Sequence, residues 1–329
     1  MFFCILVTIG TIEPLSIIYH LLSIIYNFSL FIFLFYLLFM YFCTQKVINM
    51  KARVTNLRAI LLIAVVLLCS CRAVHHTQDA VTTICQTYPQ GKVAEIVARG
   101  TLLVGTTGDY RPLTFCEADG TYWGFGIEMA REIAKRLGVK VEFKRTSWPT
   151  LTADVLAEPQ LFDLALGGIT ITDARRETML MSDGYLANGK TILCRASEAN
   201  RYRSLADIDK PDVRVMVNPG GLNEKFANEN LTHATITIHQ RNEEIPSLIA
   251  EGKADVMITE ITEAPYYVKT DSRLAAPLLN KPFNHNEIGV LMRKGQEDLL
   301  QLVNTAIREM KADGSLPRLH KKYGFVYAF

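Results

Sequence analysis

From residue 93 to the end, short apolar runs alternate with segments of helical periodicity, and the breaks after the apolar runs carry glycine and polar residues. That alternation restricts the chain to parallel-rich sheets flanked by helices. An apolar run at 101–106 precedes Asp109-Tyr110-Arg111-Pro112, and residues 115–121 read as a hairpin turning at Asp119-Gly120. Ile127, Ala130, Ile133, Ala134 and Leu137 fall on one helical face, with Gly138 as the stop. The same reading predicts strands over 139–143, 161–166, 213–217, 235–239, 254–259 and 288–292. It predicts helices over 151–156, 173–179, 222–228, 242–251, 261–268, 299–313 and 316–323. These are too many units for one small sheet. The expected fold is therefore α/β and bilobal, with strand-to-helix loops lining a ligand cleft between two sheets.

The first 71 residues are of another kind. Residues 2–41 are almost uncharged and long enough to span a bilayer. A second start follows at Met50, where Lys51, Arg53 and Arg58 precede the apolar run 59–68. That is the layout of a signal peptide. It ends in Leu68-Cys69-Ser70-Cys71, which resembles a bacterial lipoprotein box. The reading is that residues 1–49 are a start-site artefact, with a membrane segment as the alternative. Residues 50–71 are then a lipoprotein-type signal peptide, 72–92 a polar tether, and the mature protein periplasmic and lipid-anchored at Cys71.

Formal net charge is +2, so no broad basic field points to nucleic acid. Of seven cysteines, Cys85, Cys116 and Cys194 follow the leader; an odd number closes no disulfide framework, and the pairing is left open. No Cys/His spacing suggests a metal, and His75-His76 lies in the tether.

Three stretches carry a resemblance. They are Gly124-Phe125-Gly126-Ile127-Glu128-Met129-Ala130, Gly168-Ile169-Thr170-Ile171-Thr172-Asp173-Ala174-Arg175, and Ala312-Asp313-Gly314-Ser315-Leu316 with Lys322-Tyr323-Gly324. Together they resemble the polar amino-acid-binding proteins of ABC transporters, which have the type II periplasmic-binding-protein fold. Four more stretches are similar to periplasmic cyclohexadienyl dehydratases: residues 106–110, 146–149, 218–226 and 254–264. That family uses the binding-protein fold to convert prephenate or arogenate to phenylpyruvate or phenylalanine. The resemblance implies one lobe of about 93–192 plus 285–329 and a second of 193–284. It implies a lyase that needs no cofactor and a small carboxylate substrate as its partner; a homo-oligomer is compatible with it. The sequence departs from the pattern at Glu260, where aspartate is usual, at Leu222, where threonine is common, and at Pro265.

By this resemblance Arg175 binds a carboxylate, since guanidinium matches it bidentately, with Thr170 and the Gly168 loop completing the cradle. Lys190 supplies a second cation for a dicarboxylate. Asn218 either donates to the ligand or caps the following helix; these are not exclusive. Asn223 lies in that helix's first turn, where Glu224 serves the helix dipole. Trp148 and Tyr110 wall the substrate ring, and Asp109 shapes a turn. Glu263 is read as the general acid. Prephenate loses carbon dioxide and its ring hydroxyl together, and hydroxide leaves poorly unless protonated. Burial and the neighbouring Glu260 would keep Glu263 protonated, the two sharing one face of a helix start. Glu260 could also hold the ammonium of arogenate. The alternative is an amino-acid-binding protein serving an ABC transporter.

Overall fold

The computed structural model describes residues 83, 84 and 86–325, within one compact unit running from His75 to the C-terminus. The leader, the lipoprotein box at Cys71, His75-His76 and Cys85 lie outside the described residues.

The first half of the fold begins with α1 (Lys92–Arg99) and β1 (Thr101–Thr106). A small three-stranded sheet follows, β2 (Asp109–Tyr110), β3 (Thr114–Cys116) and β4 (Tyr122–Trp123), paired antiparallel as the Asp119-Gly120 turn required. Then come α2 (Phe125–Leu137), β5 (Lys140–Arg145), α3 (Leu151–Leu156), β6 (Leu164–Ala165), α4 (Asp173–Thr178) and β7 (Met179–Met181). The chain crosses through β8 (Leu186–Asn188) into β9 (Lys190–Arg195), α5 (Leu205–Ile208) and β10 (Arg214–Val217). It continues through α6 (Leu222–Asn230), β11 (Thr235–Ile238), α7 (Ile245–Ala250), β12 (Val256–Glu260), α8 (Ala264–Thr270) and β13 (Leu274–Ala275). It returns by β14 (Asn286–Ile288), β15 (Leu291–Arg293), α9 (Glu297–Ala312) and α10 (Ser315–Tyr323).

Two five-stranded sheets result, ordered β5-β1-β6-β15-β7 and β11-β10-β12-β9-β13. In each, three neighbouring strands run parallel, and the strands that enter or return by the crossings add antiparallel pairs. The crossings themselves pair as a ribbon, β8 against β14, with Asn188 opposite Asn286. This is the bilobal α/β architecture.

Local sequence explains most elements. The apolar face of α2 buries Ile127, Ala130, Ile133, Ala134 and Leu137, and Gly138 ends it in the left-handed conformation. Each fully buried Ile or Leu contributes about 1.5–3 kcal/mol. One core joins α1, α2, α9 and α10 to the first sheet, and two clusters, around Val215 and Met257, cover the faces of the second. Two expectations need correction. The strand over 161–166 is only β6, two residues long, because Gly167 and Gly168 turn the chain at φ 124° and 91°. The helix over 261–268 begins instead at Ala264. Pro265 sits in its first turn, where the missing N–H costs nothing, and Glu263 occupies the N-cap position. Glu260 and Glu263 therefore do not share a helix face: one ends a strand and the other closes a turn, with Glu263 N–H donating to the Glu260 carbonyl at 3.0 Å.

Candidate functional site

Segments from both halves of the fold meet around a cleft. The first half of the fold contributes Tyr110, from the small sheet, with Trp148, Gly168, Thr170 and Arg175. The second contributes Lys190, Asn218, Gly221, Leu222, Asn223 and Glu260. The mixture of two aromatic rings with a few convergent polar groups suits a small molecule.

Glycine at 168 is dictated by packing. A Cβ there would meet the Tyr110 ring at 2.5–2.6 Å, so the loop can pass beneath the tyrosine only without a side chain. Beyond that loop, Thr172 caps α4 by accepting from Arg175 N–H at 3.2 Å. The Arg175 guanidinium folds back to donate from Nη1 to the Thr170 carbonyl at 2.6 Å. Burial pulls its pKa below the ordinary arginine value, against the pull of Glu260, and among the described residues no carboxylate forms an ion pair with it. It is a buried cation on the cleft wall, and a guanidinium's planar fork matches a carboxylate.

Lys190 and Glu260 are register partners in the antiparallel β9–β12 ladder. Their ion pair, Nζ to Oε1, measures 2.6 Å with each residue 4% exposed. Lys190 Nζ donates also to Asn223 Oδ1 at 2.5 Å. Glu260 accepts from the Tyr110 hydroxyl, and from Thr170 Oγ1 at 3.4 Å, so two residues of the first half of the fold reach a carboxylate of the second sheet. Burial alone would raise the Glu260 carboxyl, but Lys190 and the surrounding donors hold it below the ordinary range. Burial and Glu260 push the Tyr110 hydroxyl well above its ordinary value, so it stays a donor. Asn218 does not cap α6: the cap position is Gly221, without a side-chain bond, and Asn218 Oδ1 accepts from Asn223 Nδ2 at 3.5 Å. Glu224 accepts from Gly220 N–H at 2.5 Å, within the first helical turn.

Trp148 stands edge-on to Tyr110, ring centroids 5.6 Å apart, and donates from Nε1 to Asp109 Oδ1 at 3.2 Å. Asp109 thus does more than shape a turn. Its carboxyl is raised, chiefly by burial.

Every residue expected at the site from sequence lines this cleft except Glu263. That side chain is 0% exposed and lies behind the wall, near Glu260. Its Oε2 accepts from Thr259 Oγ1 at 2.5 Å and its Oε1 from Asn242 Nδ2 at 2.8 Å. Burial, with smaller help from Glu260 and Asp109, raises its pKa to about 8. At neutral pH this is a protonated carboxylic acid held in a polar niche. Asn242 and Thr259 were missed by sequence reasoning. Asn242 also donates to the Asp109 carbonyl at 3.2 Å, linking the acid's niche to the small three-stranded sheet. Nothing local in the sequence marks it, since its partners lie 21 and 133 positions away. No cluster of His, Cys, Asp or Glu among the described residues could hold a metal, and Cys116 and Cys194 are free thiols.

Comparison with known proteins places the chain among related folds. Residues 102–326 match the bacterial extracellular solute-binding proteins, family 3. The cyclohexadienyl dehydratase of Pseudomonas aeruginosa is 38% identical over 207 residues, covering 63% of this chain and 76% of that protein. The L-cystine-binding protein TcyJ of Escherichia coli K12 is 30% identical over 235 residues, 71% of this chain and 86% of the relative. Among solved structures, the ancestral amino acid-binding protein AncCDT-1, described as a precursor of cyclohexadienyl dehydratase, is similar at 38% identity. It has a TM-score of 0.65 and covers 70% of this chain and 98% of that one.

Proposed function

The chain belongs to the bacterial extracellular solute-binding proteins of family 3, and within that family we propose, from its likeness to a cyclohexadienyl dehydratase, that it is an enzyme of that kind acting on prephenate, L-arogenate or both in the periplasm. The observation that carries this reading is Glu263, a fully buried acid beside the cleft with a pKa raised to about 8. A trapped ligand gains nothing from such a group, whereas a departing hydroxide needs its proton.

In the proposed reaction Arg175 and Lys190 hold the two carboxylates, and Trp148 and Tyr110 border the ring. The bond from the ring to its carboxylate breaks and releases carbon dioxide. The electron pair enters the ring as the carbon–oxygen bond to the hydroxyl breaks, and the proton from Glu263 turns the leaving group into water. Asn218 and Asn223 supply neutral polar contacts at the same wall. Aromatisation drives the step. Because Glu263 sits behind the wall, substrate entry must shift Tyr110 or the Glu260 side chain enough to bring the acid to the hydroxyl.

A spectroscopic assay with prephenate and L-arogenate tests this. Glu263→Gln should lower kcat by about 10²–10⁴-fold while binding of the aromatic product persists. A wild-type protein that turns over neither substrate and binds an ordinary amino acid tightly would establish the second reading, delivery of an amino acid to an ABC transporter. That reading is favoured by one feature: the acid does not line the cleft wall.

A further inference from the structure

We propose that the cleft selects a 2-oxo carboxylate over the corresponding 2-amino acid, an inference that rests on reading this cleft as an organic-anion site. An α-ammonium carries a full positive charge and three N–H donors, and a buried one needs an anion or several free acceptors. Among the described residues the only carboxylate on the cleft wall is Glu260, and it is already engaged. Lys190 occupies Oε1 at 2.6 Å, Thr170 approaches the same oxygen at 3.4 Å, and the Tyr110 hydroxyl donates to Oε2.

The backbone enforces that engagement. Lys190 and Glu260 face each other directly in the β9–β12 ladder, and directly opposed residues on one sheet face have neighbouring Cβ atoms. The pair is a consequence of strand register, not of an empty cleft. The nearby acceptors are committed as well: Asn223 Oδ1 to Lys190 Nζ, and the Thr170 carbonyl to Arg175.

What the wall offers a ligand is therefore donors: the remaining N–H groups of Arg175, the third N–H of Lys190 and the Asn218 amide. A ligand ammonium would have to share the single negative charge of Glu260 with Lys190, which puts two buried like charges side by side. A keto oxygen in the same place accepts a bond from the donors already there and disturbs nothing.

Phenylpyruvate and L-phenylalanine differ only at this carbon and are suitable probes, since both are stable and neither requires turnover. Titration calorimetry on the full-length chain at pH 7 should give phenylpyruvate a Kd lower by about tenfold or more. In Lys190→Met, which frees Glu260, the ratio should shift toward the amino acid. In Glu260→Gln phenylpyruvate binding should persist. Equal or tighter binding of L-phenylalanine by the wild type, or no binding of phenylpyruvate, overturns the proposal without needing either variant to fold. The outcome is separable from the catalytic reading. Keto-acid preference without turnover removes the enzyme and keeps this inference, whereas turnover of prephenate and L-arogenate with equal kcat/KM keeps the enzyme and removes this inference.

Discussion

A carboxyl group with no water around it records its protonation in the stability of the fold. Glu263 has an ordinary value of 4.5 and a folded value of about 8. Between these, the unfolded chain gives up the proton while the folded chain keeps it, so stability is fully present below pH 4.5 and is lost as pH rises toward 8. Replacing the acid with an isosteric amide removes that dependence. Denaturant titrations from pH 5 to 8 should show midpoints falling more steeply in the wild type than in Glu263→Gln. Parallel slopes would mean that the acid ionises normally. The Lys190–Glu260 pair acts in the opposite sense: its lowered carboxylate favours folding above the ordinary range and loses that contribution as pH falls. Sequence reasoning singled out Glu263 but placed it on a helix face shared with Glu260. The helix start at Ala264 and the niche of Asn242 and Thr259 depend on how Pro265 and a distant turn pack, which no local pattern encodes.

Among the elements, the loop after β6 shows most directly how backbone conformation shapes the cleft. Gly167 and Gly168 adopt positive φ, and added side chains would strike Thr114 and Tyr110 respectively. Gly168→Ala should cost about 1–3 kcal/mol in backbone strain and push Tyr110 off Glu260. Thermal unfolding should then show a lower Tm, and ligand affinity should fall with it. An unchanged Tm would show that the loop relaxes freely. The helix α2 was fully legible, because five apolar residues at helical spacing and a terminal glycine leave one solution. The strand β6 was legible in place but not in length, since of its apolar flanks Phe162 and Leu166 are buried outside the ladder and Leu161 is exposed.

The two sheets meet at more than the cleft. Trp123 of the small first-half sheet approaches Tyr266 of α8 at 6.4 Å between centroids, and Gly220 lies against Pro149 so closely that a Cβ would clash at 2.6 Å. With the Asn242–Asp109 and Tyr110–Glu260 bonds these contacts describe a closed molecule. An aromatic pair of this kind is worth about 0.5–1.5 kcal/mol beyond its burial. Trp123→Ala should therefore weaken ligand binding by roughly 2–10-fold and raise the radius of gyration seen by small-angle scattering without ligand. Unaltered affinity and scattering would exclude the pair as a closing contact.

A family resemblance named the side chains expected at the cleft; by itself, the order of apolar runs, helical faces and glycine breaks determined an α/β fold with two main sheets. Those are short-range properties, set by the periods of helix and strand and by the conformations glycine alone allows. Only the tertiary structure decided that Glu260 is spoken for by Lys190, that Glu263 is sealed behind the wall, and that Asn242 ties its niche to the small three-stranded sheet. Such facts depend on strand register and burial, which arise from contacts between residues distant in the chain.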